Sequence, residues 1–227
     1  MNKNYFTAMQ ERDDVFSEVE ANVADTPPVV TRRVLHVGCG LARPERLPVC
    51  FRTAGWQEIR LDIDPNVRPD IVASITDLSL VDSGSMDAVW SSHNIEHLNA
   101  HEVPYALAEL RRVLKPDGFA LITLPDIRAV ARYIVDDRLN QPLYQSPVGP
   151  ISPLDILFGH QESITRGNHF MAHRTAFTAT TLGKALVEAG FEEVRVHEGR
   201  RWDLWALATM PETDKGLFAT MEGVIPA

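Results

Sequence analysis

Cysteine is nearly missing from this chain: its 227 residues include two, Cys39 and Cys50. That is too few for a disulfide framework, so a packed core must hold the fold, and a reducing, cytoplasmic setting is the expectation. No apolar run approaches the about 18–20 residues that a membrane-crossing helix needs, and no membrane partner is expected. The opening stretch MNKNYFTAMQERDDVFSEVE lacks the apolar centre of a secretion signal. Basic residues are also short: 22 Lys plus Arg face 31 acids, a net charge of −9. Surfaces that bind nucleic-acid phosphates leave a basic footprint, so nucleic acid is not an expected partner. The Arg200-Arg201 pair reads as solvated surface. Internal repeats and low-complexity tracts are missing too.

What remains is an ordinary mix, 44% apolar and 23% charged, long enough to bury one full core. Residues 1–30 end in ADTPPVV, where Pro27-Pro28 blocks a helix; they read as an N-terminal helix plus connector, with one domain over 31–227. Apolar strand candidates follow in RRVLHVGCG, at 58–64, at 70–74, at 86–92 and at 118–125. Between the last two, Val103, Leu107, Leu110 and Leu114 recur at helical spacing. Pro104 suits the first turn of that helix, and Lys115-Pro116-Asp117-Gly118 ends it. A second helix is predicted over 178–190, then an antiparallel hairpin from 191–197 and 203–209. Strands alternating with helices imply an α/β fold, a parallel sheet covered by helices on both faces. Residues 139–177, with Pro142, Pro147, Pro150 and Pro153, break the alternation and read as a cap inserted over the sheet's carboxyl edge.

Glycines mark the first strand's exit. Gly38 and Gly40 permit a sharp turn and a close ligand approach to the main chain. A dinucleotide fingerprint would need glycine at position 43, where Arg43 stands, so a diphosphate-binding turn is disfavoured. The second strand ends in Asp62-Ile63-Asp64. A carboxylate at that tip can accept both hydroxyl hydrogens of a ribose beside the glycine turn, and Ile63 can pack on an adenine.

Four stretches in order, VLHVGCG, RLDIDP, SMDAVWSSHNIEHL and LRRVLKPDGFALITLP, resemble the class I S-adenosylmethionine-dependent methyltransferases of the small-molecule type. The likeness runs well through about 32–125 and more loosely over 178–209. It implies a Rossmann-like, mostly parallel seven-stranded sheet with a C-terminal hairpin. It implies S-adenosylmethionine as cofactor, with Gly38, Cys39 and Gly40 under its methionine part and Asp62 on its ribose. Adenine would lie between Ile63 and Ile75, with Asp77 or Ser74 at its amino group, and Ser91 and His93 near the methyl. The chain departs from the family at His36, where an acid is usual, at Ala42 for a third glycine, and at Ser74 for an aspartate. The link after Asp64 is too short for a normal helix.

His93-Asn94-Ile95-Glu96-His97 also spells H-x-x-E-H, a zinc-peptidase pattern that works only on a regular helix. Here it follows directly on a strand, so no metal is expected; His93 should face the methyl donor while Glu96 and His97 secure the loop. Methyl transfer from a sulfonium is an in-line displacement governed by alignment, and a base is needed only where the acceptor must lose a proton. His93 is the first candidate, with His160, His169 and His173 behind it. Tyr144, Phe158 and Phe170 either shape an acceptor pocket or fill the cap's own core. The expectation is methyl transfer to a small-molecule or glycan-like acceptor through oxygen or nitrogen, with oligomeric state open. The rivals are a degenerate fold serving as a scaffold and a nicotinamide-dependent oxidoreductase.

Overall fold

The structure, a computed structural model, describes residues 31–221 and 223–225; the expected N-terminal helix and connector fall outside them. Seven strands form the main sheet: β1 (Arg32–Val37), β2 (Trp56–Asp62), β3 (Ile71–Val72), β4 (Met86–Ser92) and β5 (Leu114–Pro125), then β8 (Glu193–Glu198) and β9 (Asp203–Thr209). Their order is β3-β2-β1-β4-β5-β9-β8, parallel throughout except where β9 joins antiparallel to β5 and β8. The order reverses between β1 and β4, so the carboxyl ends of β1, β2 and β4 open a crevice at one sheet edge.

The central strands are apolar on both sides because both sides are covered. Val34, Leu35 and Val37 of β1 and Ala88, Val89 and Trp90 of β4 are all buried. Leu35, Val37, Val89 and Ile122 point to one face, under α1 (Val103–Val113) and α5 (Ala179–Glu188). Helix α1 buries Val103, Ala106, Leu107, Leu110 and Val113 with Pro104 in its first turn; it ends at Val113, so Leu114, expected on the same face, opens β5 instead. Thr178 caps α5 through a capping box with Thr181. The other face is thinner. Val34, Ala88, Trp90, Leu121 and Leu207 are covered by Leu47, Phe51 and the short α6 (Leu217–Met221).

Among the described residues no α-helix links β1 to β2, β2 to β3 or β3 to β4. Single 3-10 turns stand in the first two links instead, Pro44–Arg46 and Val49–Phe51 before β2 and Pro65–Val67 before β3. The expected loss of a helix after Asp64 holds, and it extends to both neighbouring connections. Proline at 44 and 48 interrupts the first of them. Strand β5 begins at Leu114, earlier than the expected 118, because Lys115–Gly118 forms an irregular register step opposite Met86–Ala88.

The insertion starts earlier than about 139. Helix α2 (Ile127–Val135) opens it, capped by Asp126, followed by a hairpin of β6 (Tyr144–Ser146) and β7 (Gly149–Ile151), then α3 (Pro153–Phe158) and α4 (Gln161–Thr165). Its own core is Val130, Ile151 and Ile156, joined by Leu143, Tyr144 and Trp202. Tyr144 therefore belongs to the cap core, stacked on Trp202 at 5.8 Å, whereas Phe158 and Phe170 are exposed and fill nothing.

Candidate active site

The turn after β1 has glycine where the backbone demands it. Gly38 and Gly40 sit at φ +65° and +59°, a region that side chains disfavour. A Cβ at Gly38 would lie 2.7 Å from Asn94 Cγ, and one at Gly40 would run into the Arg46 guanidinium. Asp62 faces this turn from the end of β2: its Oδ2 accepts the Gly40 N–H at 2.8 Å and its Oδ1 the Asp64 N–H at 2.9 Å. Each carboxylate oxygen keeps a further lone pair for a ligand hydroxyl. Arg60 braces the turn from beneath, donating to Gly40 O at 2.5 Å, and Arg46 donates to Cys39 O at 3.3 Å. Burial pushes the Cys39 thiol up to about 11, with Arg60 opposing and Asp62 and Glu58 reinforcing.

The nucleoside side is assembled next to it. Ala73 N–H binds Asp62 O at 3.1 Å, joining the 73–78 loop to the tip of β2. Ile63 is half exposed and Ile75 buried. The Ser74 and Thr76 hydroxyls bond each other at 2.8 Å. Asp77 is exposed and accepts the Ser79 N–H at 3.1 Å, and its bonds to Ser79 hold the carboxyl below its usual range. His36 is buried in β1, with Nδ1 2.6 Å from Glu58 Oε1. Position 36, where the resembled family has an acid, thus holds an imidazole paired with an acid of β2.

The loop after β4 supplies the remaining side chains. Ser91 is fully buried, and its hydroxyl finds no hydrogen-bond partner among the described residues. His93, at φ +48°, is anchored by its N–H to Thr123 O at 2.8 Å and leaves its ring half exposed. Its Nδ1 lies 3.3 Å from Oε1 of Glu96, a carboxylate that is 1% exposed and hydrogen-bonds to nothing described. Desolvation works against a charged His93, but Glu96 and, behind it, Asp203 overcome this and raise its pKa. Desolvation likewise opposes charge on Glu96, and His93, His97 and His173 reverse it, holding the carboxyl below its ordinary range.

Ile95–His97 is a single 3-10 turn, so H-x-x-E-H does not stack its histidines on a helical face. Instead His97 turns to the cap. Its Nδ1 meets Ala172 O at 3.1 Å, its Nε2 meets His93 O at 3.2 Å, and its ring packs edge-on to His173 at 4.8 Å. Arg174 and Thr175 N–H groups both reach Glu96 O, which ties cap to loop. His160 is buried against Ser163 Oγ, and His169 is exposed. Asn94, Arg46, Arg60 and the pairing of Glu96 with His173 had no signal in the sequence. Each depends on a side chain folding back over a distant turn.

Residues 35–122 match the family described as a methyltransferase domain. No curated protein matches the chain. Among solved structures it is similar to a SAM-dependent methyltransferase from Archaeoglobus fulgidus, at 17% identity over 79% of this chain and 86% of that one, TM-score 0.52. A protein from Pyrococcus horikoshii OT3 is similar at 16% identity over 79% and 82%, TM-score 0.55. A SAM-dependent methyltransferase from Methanosarcina mazei is similar at 16% identity over 80% and 93%, TM-score 0.52. At these identities the structures speak for the fold. Residues 35–122, which match the methyltransferase-domain family, hold the glycine turn that faces Asp62, on a fold similar to that of SAM-dependent methyltransferases.

Proposed function

We propose that this chain is an S-adenosylmethionine-dependent methyltransferase that acts in the cytoplasm on a small-molecule or glycan-like acceptor, methylating an oxygen or nitrogen, with His93 as the base for a protonated acceptor. The observation that carries this reading is the pairing of half-exposed His93 with buried Glu96 at the mouth of β4, beside the glycine turn. When bound, S-adenosylmethionine supplies a sulfonium-activated methyl group. Gly38, Cys39 and Gly40 would pass under its amino-acid tail, Asp62 would hold its ribose, and Ile63, Ser74, Ile75 and Asp77 would border its adenine. Ser91, fully buried near the end of β4, would lie on the methyl side beneath His93's loop. Tyr144 of the cap stacks on Trp202, which directly precedes Asp203 of β9, and there the cap would shape the acceptor's entry.

Isothermal titration with S-adenosylhomocysteine tests the cofactor site. Asp62→Ala removes two hydroxyl acceptors and should weaken binding about 10- to 100-fold, since bonds to a charged acceptor contribute about 1.5–3 kcal/mol. Unchanged binding would refute the assignment. Turnover of methyl-labelled cofactor against a metabolite extract should fall by about 10²–10⁴ in His93→Ala with cofactor affinity kept.

One observation favours a second reading, a binding module without turnover: both Asp62 oxygens already accept backbone N–H groups and Arg46 stands over Gly40. S-adenosylhomocysteine binding with no label transferred to any acceptor in the extract would select it.

A further inference from the structure

The Glu96 carboxylate is a problem the methyl-transfer reading leaves unsolved. It is 1% exposed, and neither oxygen has a hydrogen-bond partner among the described residues, the His93 ring standing 3.3 Å from Oε1. A buried carboxylate without a hydrogen bond is among the costlier features a fold can keep. Two imidazoles stand next to it. Glu96, His97 and His173 each offer one ligand atom, and these atoms lie within 4.8 Å of one another.

The two rings are prepared differently. His173 Nδ1 is 2.7 Å from Ile156 O, so it must carry the proton there, and Nε2 is left with the lone pair. A carbonyl on the far nitrogen is the usual way a metal-binding histidine has its tautomer fixed. His97 meets a carbonyl oxygen at each nitrogen, Ala172 O and His93 O. A neutral imidazole has one N–H, so one of those contacts sets lone pair against lone pair. A cation would use that nitrogen.

We infer that Glu96, His97 and His173 form a site for a divalent transition-metal ion of the zinc type, clasping the cap to the loop after β4. Two imidazoles and one carboxylate are a zinc-compatible set, and they leave a fourth position for water or an acceptor oxygen. Bonds of about 2.0–2.1 Å put tetrahedral donors about 3.3 Å apart, so the three groups move inward on loading. This is not the site the H-x-x-E-H spacing suggested. His93 pairs with Glu96 rather than joining the ligands, and the third donor comes from a residue in the cap far along the chain.

The test is Zn²⁺ titration of the chelator-stripped chain by calorimetry, with metal counted by mass spectrometry after desalting. The expected result is one Zn²⁺ per chain, weakened at least about tenfold by Glu96→Gln and by His173→Ala, and unchanged by His197→Ala at an exposed position of β8. Zn²⁺ should also raise the melting temperature of the wild type and not that of His173→Ala. If Glu96→Gln does not fold, His173→Ala, from a partly exposed cap segment, decides alone. Absence of stoichiometric binding, or binding that His173→Ala leaves intact, overturns the site. S-adenosylhomocysteine titration of the same samples keeps the two readings apart: either ligand can bind while the other fails.

Discussion

Asp62 does two jobs with one carboxylate. It fixes the Gly40 N–H and its own chain's turn at Asp64, and it presents what is left of its acceptor capacity to the crevice. The spacing of Gly38, Gly40 and Asp62 was legible because a turn at positive φ and an acid at a strand tip are local demands on residue type. His36 was not legible. Its partner, Glu58, is set by the lateral pairing of β1 with β2, and the sequence does not print that register. Cys39 gives the same lesson in reactivity. A cysteine between two glycines looks accessible, but the thiol is buried and its ionisation is pushed up to about 11. Burial also raises the half-buried Cys50. A raised pKa keeps the thiol protonated until pH passes it, so at pH 8 Cys39 is almost wholly unreactive. A disulfide reagent at that pH should leave Cys39 untouched in the native chain and modify both cysteines in guanidinium. Prompt labelling of native Cys39 would contradict its burial.

At the scale of elements, the strands and α1 were readable from periodicity, and MDAVWSS became β4 with the bounds expected. The segment from Leu41 to Gly55 was not. Two prolines and short apolar islands gave neither a helical nor a strand period, and the chain answers with two 3-10 turns. The consequence for the site is specific. In place of a helix N-terminus after the glycines there is Arg46, held over the turn by its bond to Cys39 O, while Trp90 Nε1 binds its carbonyl at 2.9 Å. A guanidinium there can pair with the carboxylate of an amino-acid tail. Arg46→Met should therefore weaken S-adenosylhomocysteine about tenfold or more, as loss of a bond to a charged group implies. It should leave 5′-methylthioadenosine, which has no such tail, unchanged. Equal losses for both would mean that Arg46 only shapes the turn.

Across the whole molecule the two faces of the sheet are unequal, and that inequality decides where the fold is vulnerable. One face has α1 and α5, with Leu107, Leu110, Leu182 and Leu186 at 1% exposure or less. The other depends on Leu47, Phe51 and the C-terminal segment, where Phe218, Met221 and Ile225 close over Trp90 and Leu207. Arg195 lies flat on Phe218, its guanidinium carbon 3.9 Å from the ring centre. No periodicity hinted at this role, since LFATM is too short to show a helical stripe. Phe218 is 7% exposed and Phe170, in the cap, 58%. Composition treats them alike, but burial separates them. Phe218→Ala should cost about 3–5 kcal/mol by uncovering that face, against about 0.5 kcal/mol or less for Phe170→Ala. Urea unfolding followed by tryptophan emission reads both variants, because Trp90 and Trp205 stack at 5.6 Å beneath the Phe218 segment. A shift of the midpoint in Phe170→Ala as large as in Phe218→Ala would show that the cap, and not the C-terminal segment, is what the second face leans on.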